Sequence, residues 1–235
     1  MVESDNNLII CNNISKQYGY FFALKNNSFN IKNCRIFGIA GANGAGKTTL
    51  IKILSGLIKP TFGNVEIGGM NYKDHSRIIY QNIGITTDES FLYDELTVYE
   101  NLKFYCNLHL IFEKGNIKRK INKLVERFDL TDWINEPVRT LSHGMKQKVE
   151  LIRSIIHSPS ILFLDEPFSG LDYVATDRLI KFIREMNQKN NVTIILTTHK
   201  TDLFQQLCND LIILKKGKIE RRITDEEFDE IESLF

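Results

Sequence analysis

The chain has 235 residues, 43% hydrophobic and 25% charged, with 30 Lys and Arg against 29 Asp and Glu. That is ordinary globular composition, and a net charge of +1 gives no overall pull toward nucleic acid, so no nucleic-acid partner is expected. The apolar runs, such as Ile161 to Leu164 and Leu211 to Leu214, fall far short of the roughly 18 residues of a spanning helix, so any membrane role must come through a partner.

In chain order, the opening MVESDNN is polar and acidic, unlike a signal peptide. Pieces before Lys32, and again around Asn64 to Ile67, are short and suggest an antiparallel margin. Cys11, Cys34, Cys106 and Cys208 are scattered with no C-x-x-C pair, and are expected to be buried thiols in a reducing compartment. RIFGIAG, Arg35 to Gly41, is the first of three short apolar runs that predict buried parallel strands; SILFLDE, Ser160 to Glu166, and VTIILTTH, Val192 to His199, are the others. Helical patterns follow each, which predicts an α/β parallel sheet.

GANGAGKT, Gly41 to Thr48, matches G-x-x-x-x-G-K-[ST] between a predicted strand and the helix TTLIKILSGL. Such a loop turns successive N–H groups on one anion, and the helix that follows adds its positive end. Gly41, Ala42, Asn43, Gly44, Ala45, Gly46, Lys47, Thr48 and Thr49 are therefore candidate phosphate contacts. Lys47 can reach the β- and γ-phosphates, and Thr48 can hold Mg²⁺.

Residues 88–157 are predicted to be mostly helical, a lobe inserted between core segments 1–87 and 158–235. Thr97 and Glu100 form a capping-box pattern. Ile117, Ile121, Leu124, Val125 and Phe128 recur at helical spacing. Ser142 can cap a third helix whose Val149, Ile152, Ile155 and Ile156 share a face. Phe91, Leu92 and Tyr93 form an apolar cluster at the entrance to this lobe, open to a docking role or a plain core role.

Further on, Asp165 ends the strand of ILFLDEP, where a parallel sheet places its ligands, and a carboxylate there can hold Mg²⁺. Glu166, one residue on, is the candidate general base. His199 ends the third strand on the same predicted edge and is a candidate γ-phosphate sensor. Thr224 with Glu227 is a second capping-box pattern, predicting a short final helix.

With these residues together, nearly the whole chain resembles the nucleotide-binding subunit of an ABC transporter. LSHGMKQ, Leu141 to Gln147, is similar to the family signature, and SGLD, Ser169 to Asp172, to its D-loop. The resemblance implies a P-loop NTPase (RecA-like) core with an antiparallel margin and a helical subdomain. It implies ATP and Mg²⁺ as ligands, and Tyr18 as the aromatic that stacks on adenine. It also implies a head-to-tail pair of subunits, Ser142 and Gly144 of one facing the γ-phosphate held by the other.

Two positions depart from the family wording: His143 and Met145 in the signature, and Asp88 where the family carries a Gln. An Asp there can still meet Mg²⁺ or its water, with shorter reach. LYDELTVYENL and LSHGMKQ are more like exporters than importers. The implied function is ATP hydrolysis at the cytoplasmic face of a membrane, driving a separate permease, either ABC-2-type efflux or heme export for cytochrome c maturation. A soluble ABC ATPase of DNA repair or ribosomes is a distant alternative: Lys47 to Leu141 is too short for a coiled-coil or zinc insert, and one nucleotide-binding unit is present.

Overall fold

The computed structural model describes residues 7–109 and 114–224. The acidic opening and the expected final helix lie outside these residues.

A hairpin of two long strands comes first, β1 (Asn7–Tyr18) and β2 (Phe21–Lys32). Strand β3 (Ile36–Ala40) follows, wholly buried, and helix α1 (Lys47–Leu54) leaves it. Next come β4 (Phe62–Ile67), β5 (Met70–Asn71), helix α2 (Tyr72–Asn82) and β6 (Ile83–Thr86). Then α3 (Val98–Leu108), α4 (Lys114–Arg127) and α5 (His143–Ile155) run in succession. The chain returns to the sheet with β7 (Ile161–Leu164), α6 (Tyr173–Asn190), β8 (Thr193–Thr197), α7 (Thr201–Leu207), β9 (Asp210–Lys215) and β10 (Lys218–Thr224).

The strands form two sheets, one in the order β2-β1-β4-β5 and one in the order β10-β9-β3-β8-β7-β6. In the second, β9, β3, β8, β7 and β6 are parallel, and β10 is added antiparallel at the edge. The three apolar runs are its central strands, as their lack of alternation requires for strands covered on both faces. One core lies between the two sheets, with Leu50 and Ile51 of α1, Phe37 and Phe163 in it. A second lies under α6 and α7 on the other face. Burying each such Leu, Ile or Phe side chain stabilises the fold by roughly 1.5–3 kcal/mol.

The third core belongs to the helices: Val98 and Leu102 of α3, Ile121 and Val125 of α4, and Val149, Ile152 and Ile156 of the α5 region. Thr97 and Glu100 make the expected capping box, and Ser142 Oγ accepts from the Met145 N–H at 3.3 Å. Ile155 belongs to the second core instead, so α5 is packed on two sides. Gly84 explains the close seat of α5 on β6: a Cβ there would lie 2.0 Å from the Ser154 carbonyl oxygen.

Two further expectations need correction. The antiparallel pieces before Lys32 are 12-residue strands, not short ones. Cys34 is exposed, at φ 55° in the turn before β3, while Cys11, Cys106 and Cys208 are buried.

Candidate functional site

All parallel strands of the large sheet point the same way, so the loops leaving β3, β8, β7 and β6 share one edge. That edge carries Gly41 to Gly46 after β3, Thr198 and His199 after β8, Asp165 and Glu166 after β7, and Thr87 and Asp88 after β6. This is where open α/β sheets hold ligands.

The loop after β3 is closely packed. Gly46 has φ 109°, and a Cβ on it would lie 2.6 Å from the Ala23 carbonyl oxygen of β2. A residue with a side chain could take neither that torsion nor that approach cheaply. Gly44, at φ 77°, has open space where its Cβ would be. Helix α1 starts on Gly46 with no side-chain cap, so its first N–H groups remain available to an anion. Lys47 is buried, and its ammonium donates to the carbonyl oxygens of Gly41, at 2.8 Å, and Ala42, at 3.4 Å. The arrangement is a cationic, N–H-lined cradle, with Thr48 and Thr49 on the first turn of α1.

Beside it, Asp165 is buried at the end of β7. Its Oδ1 accepts from Thr197 Oγ1 at 2.6 Å, and the same hydroxyl oxygen accepts from the Glu166 N–H at 2.9 Å. Asp165 Oδ2 is buried and has no hydrogen-bond partner among the described residues. An unpaired carboxylate oxygen in such a place is costly unless a ligand meets it. Among the described residues no group of three or more His, Cys, Asp or Glu side chains is arranged to hold a metal. The unpaired Asp165 oxygen, with the Thr48 hydroxyl as a candidate second donor, fits a hard cation such as Mg²⁺ that keeps mostly water and phosphate oxygens.

Glu166 sits in the left-handed region at φ 49°, a costly backbone for a side chain of this size. Its Oε1 is 3.1 Å from His199 Nε2. Burial pushes its carboxyl above the usual range and Asp165 adds to this, while His199 and Lys47 pull it back. Lys47, Asp165, Glu166 and His199 thus form one electrostatic unit, as the shared edge requires.

The other expected residues stand further out. Tyr18 is exposed at the tip of the β1–β2 hairpin, with Lys16 Nζ 5.2 Å from its ring centre. Asp88 is exposed, and its carboxylate turns to Lys52 of α1 at 3.5 Å, where Glu89 is the closer partner at 2.9 Å. Ser142 and His143 are exposed at the start of α5, and a Cβ on Gly144 would meet nothing within 4 Å. His143 lies against Gly170, so this turn abuts the Ser169–Asp172 segment, where Asp172 caps α6 through the Ala175 N–H at 2.7 Å. A cleft of about 710 Å³ is lined by Asp88, Asp165 and Glu166 together with His143, Gln147 and Glu150. Sequence reading missed Thr197, Lys52, Glu150 and Arg153; for Thr197 the one signal was a hydroxyl pair ending an apolar strand, TTH.

Comparison with known proteins agrees with this fold. The ABC transporter family matches residues 24–169. An uncharacterized ABC transporter ATP-binding protein of Bacillus subtilis, YdbJ, is 33% identical over 90% of this chain and 67% of its own length. The sulfate/thiosulfate import ATP-binding protein CysA of Mesostigma viride is 34% identical over 91% of this chain and 61% of its own length. The chain thus spans about two thirds of the length of these relatives. Among solved structures, the dimeric post-hydrolysis state of an ATP-binding cassette bound to ADP and Pi superposes with a TM-score of 0.84 at 26% identity, covering 92% of this chain and 98% of that one. The chain belongs to the ABC transporter family, as an ATP-binding domain that hydrolyses ATP.

Proposed function

We propose that this chain is the ATPase subunit of an exporter of the ABC-2 type, bound at the cytoplasmic face of a membrane through a separate permease subunit and working as a head-to-tail pair. The observation that carries the pairing is the open start of α5. Ser142 is exposed with its Oγ on the Met145 N–H, and a Cβ on Gly144 would meet open space, so the backbone at this helix start can be approached closely. Such a terminus suits the γ-phosphate of a nucleotide held by a second copy. The wording of Leu92 to Leu102 and Leu141 to Gln147 supports the exporter direction.

In this reading Tyr18 stacks on adenine and Gly41–Thr49 bind the phosphates. Lys47 balances charge on the β- and γ-phosphates. Asp165 and Thr48 would hold Mg²⁺, which when bound would neutralise phosphate charge, and Asp88, which faces Lys52 in this structure, would lie near enough to contribute. Thr197 fixes the Asp165 carboxylate and the Glu166 backbone with one hydroxyl. Glu166 takes a proton from the attacking water, aided by a raised proton affinity. His199 orients the Glu166 carboxylate and meets the γ-phosphate, while Asp172 and the partner's signature turn close the site. Phosphoryl transfer depends chiefly on such positioning and charge stabilisation.

The test is Glu166→Gln with ATP and Mg²⁺, followed by light scattering. The expected result is a stable ATP-bound pair with negligible turnover. A variant that stays single and hydrolyses ATP at the wild-type rate overturns the arrangement. The exporter class is tested by reading neighbouring open reading frames for a permease of the ABC-2 type.

A further inference from the structure

The segment Thr87 to Phe91 leaves the sheet beside Asp165 and enters the helical lobe. Two buried charges on α5 hold its far end. Glu150 Oε1 accepts from Ser90 Oγ at 2.7 Å and from the Phe91 N–H at 2.6 Å. Glu150 Oε2 accepts from Arg153 Nε at 2.6 Å, with both side chains only 10% and 8% exposed. Arg153 also donates to the Ile85 carbonyl of β6. Its guanidinium lies 4.8 Å from the Phe91 ring centre and 5.2 Å from that of Tyr105 in α3. The near end of the segment is held by Lys52, on the helix that carries Lys47 and Thr48, through Asp88 and Glu89.

We propose that Glu150 is a positioning residue for ATP hydrolysis: with Arg153 it fastens the loop beside the catalytic carboxylates to the signature helix, so that loop and helix move as one body. The proposal rests on the reading that α5 faces the nucleotide of a second subunit. The two ends of the strut differ in strength. The Lys52 pairs face water, where an ion pair contributes little and is screened by salt. The Glu150–Arg153 pair is buried, and every Glu150 oxygen is used.

Stability alone does not explain such a pair. Removing two charges from water costs several kcal/mol per ion, and apolar residues of similar volume often hold a fold as well or better. What the pair adds is direction. A carboxylate that accepts from a named N–H and hydroxyl fixes where Ser90 and Phe91 sit relative to α5, which apolar contact does not. A misplacement of about 1 Å at this distance from the chemistry can cost a hundredfold in rate.

The experiment is the double variant Glu150→Leu with Arg153→Met, an apolar replacement of the pair. The melting temperature and the ATP dissociation constant are expected to stay close to wild type. The turnover number at saturating ATP is expected to fall about tenfold or more. Turnover within about twofold of wild type, or a loss carried in ATP affinity instead, overturns the role. If the double variant does not fold, Ser90→Ala removes one bond to Glu150 and is expected to lower turnover about threefold at an unchanged melting temperature; unchanged turnover overturns the role. Pairing of Glu166→Gln in ATP is measured alongside. Failure to pair overturns both the subunit arrangement and this role, whereas pairing with an unaltered Glu150 double variant overturns this role alone.

Discussion

His199 Nε2 lies 3.1 Å from Glu166 Oε1, joining the ends of two adjacent parallel strands across the candidate catalytic edge. The contact matters because Glu166 is under opposing influences. Burial and Asp165 favour its protonated form, and His199 and Lys47 favour its charge. In the proposed role of Glu166 only the carboxylate can take a proton, so turnover should fall on the acid side at a pH above the ordinary glutamate range. His199→Gln removes one charge-favouring neighbour. The acid limb of the turnover profile should move to higher pH, with the largest loss below neutrality. Turnover measured from pH 5 to 8.5 checks this, and an unmoved limb contradicts it.

Lys47 is buried with its ammonium on the Gly41 and Ala42 carbonyl oxygens, a pose set to meet phosphate. Lys47→Ala removes the cradle's own cation. Affinity for ATP should fall about a hundredfold or more, the weight of a charge-assisted contact or two. Calorimetric titration reads this directly, and an unchanged dissociation constant would count against the cradle.

Asp88 faces Lys52 in this structure but lines the cleft that Asp165 and Glu166 also line. If its carboxylate serves the Mg²⁺ water, Asp88→Ala should raise the Mg²⁺ concentration needed for half-maximal turnover while leaving ATP affinity unchanged. Glu89 still holds Lys52 at 2.9 Å, so the loop should keep its anchor. A Mg²⁺ dependence identical to wild type would remove Asp88 from the site.

His157 stacks on His109 at 3.8 Å between ring centres, its Nε2 on the Ile83 carbonyl at 2.8 Å and its Nδ1 buried without a partner among the described residues. Burial lowers its pKa from 6.5 to about 4, and His109, Arg153 and Lys120 add to this against the Ile83 carbonyl. A cation-forming group with a depressed folded pKa stabilises the fold fully above its unfolded pKa. That contribution is lost as pH falls from about 6.5 toward about 4, amounting to up to about 3 kcal/mol. Urea midpoints at pH 7.5, 5.5 and 4.5 should therefore decline less in His157→Gln than in wild type. Parallel slopes would show that His157 does not carry the effect.

Much of the candidate site was legible because it is local. The cradle, Gly41 to Thr48, is a continuous segment whose backbone torsions and helix start are written in its own residues. The same holds for the Thr97–Glu100 and Ser142 caps, which each join residues three positions apart. The central strands were legible because burial on both faces removes alternation. The strand β6 was not, since four residues including a glycine carry too little pattern.

What the sequence by itself determined, then, is borne on contiguous segments: the candidate phosphate cradle, the acidic strand end, the capped helices and the parallel α/β class. Tertiary structure alone decided which distant side chains complete them. Thr197 meets Asp165 across 32 residues, Lys52 meets Glu89 across 37, and Glu150 meets Ser90 across 60. The physical reason is that strand order and helix seating set these pairings. A side chain's own segment fixes where it can point, but only the packed neighbour fixes what it finds there.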